Sequence, residues 1–177
     1  MKKIFIGCGS NPLISKEILD ETKRVCEYFS KNDFELVYGS YDKGMMGICA
    51  HTFLENKKSV YGINLDKYPK SVIDTKQEEY HTSFDRLKRM YELADFFLIL
   101  PGGTGTYSEL FGIMEEFKTN KQSKKLFLYN YEGFYDELIN FLEKNKNNHI
   151  LYDDDLDNLK IVNTLDELKK EVEKNEI

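Results

Sequence analysis

The feature that most constrains this chain is an alternation. Short apolar runs bounded by turn residues (KIFIG, ELVYG, SVYGINL, DFFLILPGG, KKLFLYN and LKIVN) are separated by longer segments with helical spacing. The helical segments run from about Pro12 to Lys31, Met45 to Asn56, Ser83 to Ala94, Thr106 to Asn120, Phe134 to Lys146 and Leu165 to Lys174. Continuous apolar strands alternating with helices are what a parallel sheet requires, because helices must cover both of its faces. In the first helical segment Ile14, Ile18, Thr22, Val25, Cys26 and Phe29 recur at three- and four-residue steps and define one buried stripe.

Six strand-helix units, with a further extended segment around Glu78 to Thr82, predict a doubly wound, Rossmann-like α/β fold. The sheet is expected to be mostly parallel, with about six or seven strands and helices on both faces. At 177 residues, without an internal repeat or a long linker, the chain reads as a single α/β domain spanning residues 1–177. A chain of that size can bury about two thirds of its unfolded surface.

With 25 basic against 31 acidic residues the formal charge is -6, and no segment interleaves Lys and Arg with aromatics, which disfavours a nucleic-acid partner. The start, MKKIFIGCGSN, breaks into Gly, Ser and Asn too early for a signal peptide, and no window has the length of a membrane span. These features predict a cytoplasmic protein without a membrane partner. Cys8, Cys26 and Cys49 have no CxxC pattern and no paired spacing to His51, His81 or His149, so they read as reduced, structural thiols and no metal site is expected. The Asp153-Asp154-Asp155 run reads as a solvated loop, and Thr164 with Glu167 as a capping box opening the last helix.

In open α/β sheets ligands bind beyond the carboxyl ends of the strands. Three loops there have suitable composition. The first, GCGSNP, holds Pro12 where a dinucleotide fingerprint needs its third glycine; Ser10 and Asn11 can cap the next helix or donate to an anion. The second, YGSYDKGMMG, spaces Gly39, Gly44 and Gly47 so that backbone can pass close to a ligand, with Tyr41 and Met46 between them. The third, ILPGGTGTYSEL, lacks the lysine and spacing of a P-loop. It is a glycine-rich turn feeding a helix N-terminus, suited to a single phosphate, with the hydroxyls of Thr104 and Thr106 as added donors. Glu109 has two readings: N3 partner of a Thr106 cap, or a carboxylate facing the sugar of a bound nucleotide. The preceding helix, SFDRLKRMYELA, puts Phe84, Leu87, Tyr91 and Ala94 on its apolar face and Arg86, Lys88 and Arg89 off it.

PGGTGTYSE at 101–109, with DRLKRM before it and YGSYDKGMMG after the second strand, resembles the Lonely Guy family of nucleoside 5'-monophosphate phosphoribohydrolases. The family was once labelled possible lysine decarboxylases. Its PGGxGTxxE hallmark is matched from Pro101 through Gly102, Gly103, Gly105 and Thr106 to Glu109. The resemblance implies that Gly102, Gly103, Thr104, Gly105 and Thr106 hold the 5'-phosphate with help from Ser10. It makes Glu109 and Arg86 the catalytic pair, and Gly39, Tyr41, Gly44, Met46 and Gly47 the ribose and base pocket. It further implies hydrolysis of an N-glycosidic bond without metal or organic cofactor, and a homodimer that buries helices beside the site, for which 12 Phe and 12 Tyr supply apolar surface. The glycine-rich loop carries no lysine for the Schiff base of a pyridoxal decarboxylase.

Two departures stand out. The family pattern GGGxxGLMG is here Gly39-Ser40-Tyr41, and MHERKxxM has become Ser83, Phe84 and Leu87 around a retained Arg86 and Met90. Both imply a shifted base or sugar preference. An alternative use of the same pocket is a sensor that binds a nucleotide signal without turnover.

Overall fold

A computed structural model describes residues 1–120, 124–152 and 154–175. Seven strands form one sheet: β1 (Lys2–Gly7), β2 (Phe34–Tyr38), β3 (Val60–Leu65), β4 (Lys76–Tyr80), β5 (Phe96–Ile99), β6 (Leu126–Tyr129) and β7 (Leu159–Val162). Their spatial order is β4-β3-β2-β1-β5-β6-β7 and every neighbouring pair is parallel. The doubly wound expectation holds, and the sheet is parallel throughout the described residues.

Six α-helices connect and cover it: α1 (Lys16–Lys31), α2 (Gly44–Glu55), α3 (Ser83–Leu93), α4 (Thr104–Asn120), α5 (Asp136–Asn147) and α6 (Leu165–Lys174). Alternate residues of β1 show how the layers divide. Ile4 and Ile6 face a core with Val25, Cys26 and Phe29 of α1, Cys49 and Phe53 of α2 and Leu168 of α6. Phe5 faces Met90 of α3, Leu110 and Ile113 of α4 and Tyr135 beside α5. With both faces buried, a strand has no polar side, so the apolar runs are continuous.

Local chemistry moved several helix boundaries. α1 starts at Lys16 because the Ser15 side chain accepts from the Ile18 amide at 3.5 Å; Ser10 and Asn11 do not cap it, and Asn11 Oδ1 instead accepts from the Leu13 amide at 2.8 Å. The extended segment expected at 78–82 is β4, ending at Tyr80 because Thr82 caps α3 by accepting from the Asp85 amide at 3.1 Å. β3 therefore reaches β4 through residues 66–75 with no intervening helix. The Thr164 cap is as expected: its Oγ1 accepts from the Glu167 amide at 3.2 Å, while Glu167 Oε2 accepts from the Asn163 amide at 2.7 Å. Asp153 lies outside the described residues; Asp155 of the same run pairs with Lys118 Nζ at 2.9 Å, whereas Asp154 is exposed.

Sequential connections run outward in both directions from β1, so the winding reverses between β1 and β5. There Gly7 is paired with Ile99, and the loops after the two strands leave the sheet at the same level. That reversal is where doubly wound sheets place their ligands.

Candidate active site

The loops after β1 and β5 are tied together by backbone. Leu100 N donates to Gly7 O at 2.9 Å and Gly9 N to Pro101 O at 3.0 Å. Tyr135 Oη donates to Leu100 O at 2.7 Å from beside α5. Gly9 O in turn accepts from the amides of Met45 and Met46 at 3.0 and 3.3 Å. The Met45 and Met46 amides in the first turn of α2 are thereby engaged, whereas among the described residues the first amides of α4 at the switch point have no hydrogen-bond partner.

α4 begins at Thr104, and Tyr107 N donates to Gly103 O at 3.0 Å as its first turn closes. The amides of Thr104, Gly105 and Thr106 precede that bond, the usual arrangement for receiving an anion. A Cβ built on Gly103 or Gly105 would meet nothing within 4 Å, so both glycines border open space at the start of α4. Gly102, in contrast, is required for packing: a Cβ there would collide with the Thr106 side chain, which is buried at 4 % exposure. Thr104 is exposed at the helix start. The proposed Thr106 cap is overturned, because Thr106 lies inside the helix, and Glu109 falls in the second turn, past the reach of any capping box.

Glu109 points toward the end of β1. Its Oε2 would lie 3.0 Å from a Cβ on Gly7, so the missing side chain of Gly7 makes its berth. Its Oε1 is 3.5 Å from Nη1 of Arg86, and both side chains are largely enclosed, at 15 and 19 % exposure. Among the described residues nothing donates a hydrogen bond to this carboxylate. Burial therefore dominates and pushes its pKa up to about 7, against the smaller downward pull of Arg86.

Arg86 sits in the second turn of α3, which packs against α4 where Leu87 occupies the space left by Gly112. Its Nε donates to Ile63 O of β3 at 2.8 Å. A Cβ on Gly39 would collide with Nη2 of Arg86 and with Met46 Cε, so Gly39 and Met46 wall the guanidinium. Gly44 has a φ of +57 and abuts the backbone of Ser10, joining the first and second loops. Gly47 is buried against the backbone of Asp42. Ser10 is exposed beside these loops, and Tyr41 is 38 % exposed at the outer part of the second loop. The fold thus brings together Arg86, Glu109, Gly39 and Met46, and places Ser10, Gly44 and the α4 N-terminus around them.

Three contributors had no sequence motif to reveal them: Gly7 as the berth of Glu109, the carbonyl of Ile63, and a polar cluster of Tyr38, Ser40, Asp74 and Gln77 behind Gly39. Away from this site, a cleft of about 620 Å³ opens near Lys2, Asp33, Asp95 and Glu173, at the amino end of the sheet; its acidic rim does not suit an anion. Among the described residues no cluster of three or more His, Cys, Asp or Glu side chains could hold a metal ion. No helix among them is long and apolar enough to cross a membrane.

A family profile described as "Possible lysine decarboxylase" matches residues 46–172. The chain belongs to this family. Within the possible-lysine-decarboxylase family, or Lonely Guy family, it is 28% identical over 147 residues to a protein of Arabidopsis thaliana named cytokinin riboside 5'-monophosphate phosphoribohydrolase LOG2, covering 81% of this chain and 69% of that one. It is 30% identical over 150 residues to the probable cytokinin riboside 5'-monophosphate phosphoribohydrolase LOGL1 of Oryza sativa subsp. japonica, covering 80% of this chain and 66% of the relative. The X-ray structure of TM1055 shares the fold, with a TM-score of 0.72 at 18% identity over 98% of this chain and 99% of that one. The doubly wound fold of this chain is thus one that a solved structure also has.

Proposed function

We propose that this protein hydrolyses the N-glycosidic bond of a nucleoside 5'-monophosphate, AMP-like or cytokinin-riboside-monophosphate-like, giving the free base and ribose 5-phosphate. The observation that carries this reading is the enclosed Arg86–Glu109 pair beside the open N-terminus of α4 at the switch point. The names of the Arabidopsis and rice relatives support it. Residues 1–177 act as one nucleotide-binding domain in this reading, and the free, buried thiols of Cys8, Cys26 and Cys49 suit a reducing, cytoplasmic setting.

The 5'-phosphate rests on the amides of Thr104, Gly105 and Thr106, with Gly102 and Gly103 keeping the turn open and Ser10 contributing from the first loop. Gly39, Tyr41, Gly44, Met46 and Gly47 surround the ribose and base. As the bond between sugar and base breaks, positive charge develops on the sugar ring, and the fixed carboxylate of Glu109 stabilises that charge more than the neutral ground state. Arg86 orients the nucleotide and supports the departing base. Water adds to the sugar and its proton leaves with the base, so the reaction balances without a cofactor.

The exposed aromatic rings Phe84 on α3 and Phe111 on α4, at 84 and 41 % exposure, lie on the two helices that carry the pair and suit a homodimer interface beside the site. Incubation with AMP, CMP, GMP, UMP, their deoxy forms and a cytokinin riboside monophosphate tests the activity. Release of free base together with ribose 5-phosphate is expected from at least one. Tight binding with no release from any would contradict hydrolysis in favour of a nucleotide sensor, and product only in the presence of an acceptor base would indicate sugar transfer.

A further inference from the structure

Gly39 and Ser40 lie between β2 and α2, directly behind the Arg86 guanidinium, and the backbone there takes an unusual course. Ser40 has a φ of +61, a left-handed conformation that is uncommon and mildly costly for a residue with a Cβ; unlike the other non-glycine residues with positive φ, it is buried. Its surroundings are visible. Ser40 is 1 % exposed, its Oγ donates to Asp74 Oδ2 at 2.5 Å, and the same Oγ accepts from Gln77 Nε2 at 3.1 Å. The other Asp74 oxygen accepts from Tyr38 Oη at 2.5 Å.

Asp74 is itself built into position. It comes from the β3–β4 connection, and its carboxylate occupies the space beside Gly62, where any side chain on β3 would displace it. Gly62 is paired with Tyr38 across the sheet, so one missing side chain admits the carboxylate beneath the end of β2. The next residue fastens the connection: Thr75 N donates to Val60 O at 3.1 Å and Val60 N donates to Thr75 Oγ1 at 2.8 Å. Asp74 of the connection and Gln77 of β4 thus both bond the Ser40 hydroxyl, and Tyr38 of β2 holds the other oxygen of Asp74.

We propose that Asp74 is a positioning residue: by gripping Ser40 in its left-handed conformation it sets the Gly39 backbone against Arg86 and holds the guanidinium in line with Glu109. This rests on the catalytic reading of the Arg86–Glu109 pair. The physical logic is that Ser40 is strained without its grip, whereas a glycine at 40 adopts the same backbone unaided. Dependence on Asp74 must therefore vanish when position 40 is glycine.

The test is a cycle of D74A and D74N, each in the Ser40 and the S40G background, with melting temperatures recorded throughout. In the Ser40 background D74A is expected to lower kcat for base release about tenfold, as displacements of a catalytic group by a fraction of an ångström do. In the S40G background the same change is expected to cost about threefold or less. D74N preserves the volume beside Gly62 and should show the same pattern at smaller amplitude, which keeps the test readable if D74A unfolds. The second readout needs no turnover: the NMR resonance of the Arg86 Nε–H, bonded to Ile63 O, should shift toward that of a free arginine in D74A and return in S40G/D74A. If the wild-type protein releases no base, hydrolysis fails while the arginine resonance still reports positioning. Equal losses in both backgrounds, or an Arg86 resonance unmoved by D74A, would overturn the proposal.

Discussion

Glu109 is a carboxyl group kept at a disadvantage. It is enclosed, it receives no hydrogen bond among the described residues, and its one cation stands 3.5 Å away, so its pKa rises to about 7. A folded-state pKa above the unfolded value means that the folded form binds a proton the unfolded chain releases. The stabilising contribution is complete below about 4.5 and is lost as pH rises through about 7, with an amplitude of about 3 kcal/mol. Gln is neutral throughout and similar in shape. E109Q is therefore expected to melt about 6–12 °C above the wild type at pH 8 and at nearly the same temperature at pH 4, measured by calorimetry. A lower melting temperature for E109Q at pH 8 would mean that the Arg86 pair outweighs burial. It was the family resemblance of PGGTGTYSE and DRLKRM that singled out Glu109 and Arg86 in the sequence; local physics alone left a cap open for Glu109 and placed Arg86 only off the apolar face of its helix. Gly7, Ile63, Ser40 and Asp74 were not legible: their roles depend on which atoms meet across strands, and Ser40 and Asp74 stand 34 positions apart with no local pattern linking them.

At the level of elements, the strands were the readable part, since runs such as FFLI and LFLY can only be buried on both faces. Helix starts were less readable because several polar residues compete for each cap. Ser15 rather than Ser10 or Asn11 starts α1, and α4 starts two residues ahead of Thr106. The second shift has functional weight, because it removes Glu109 from capping and frees its carboxylate to turn toward Gly7. The unhelical β3–β4 connection was equally hidden, and it delivers Asp74. On the outer side of the α3–α4 pair, Phe84 and Phe111 remain exposed. Sedimentation equilibrium is expected to give a dimer for the wild type and a monomer for F84E; a wild-type monomer at micromolar concentration would remove the partner from the account.

For the whole molecule, the order of the strands decides where chemistry can occur. The winding reverses between β1 and β5, the loops leaving that point are joined by Gly9 and Pro101, and the Met45 and Met46 amides of α2 bond Gly9 O while, among the described residues, the first amides of α4 stay unbonded. In the proposed reading, an anion held at α4 would put the rest of a nucleotide near the Arg86–Glu109 pair, since Glu109 lies in the second turn of the same helix. The doubly wound class was legible from the alternation alone; the location of the reversal was not, because strand order depends on long-range pairing. The central claim, that Glu109 acts as a carboxylate on a bound nucleotide, is tested most directly by the pH profile of kcat/KM for base release. The wild type is expected to rise with pH and level off above about 7, and E109Q to fall at least about 100-fold below that plateau. Base release by E109Q at the wild-type rate, or a wild-type rate that falls as pH rises through 7, would contradict it.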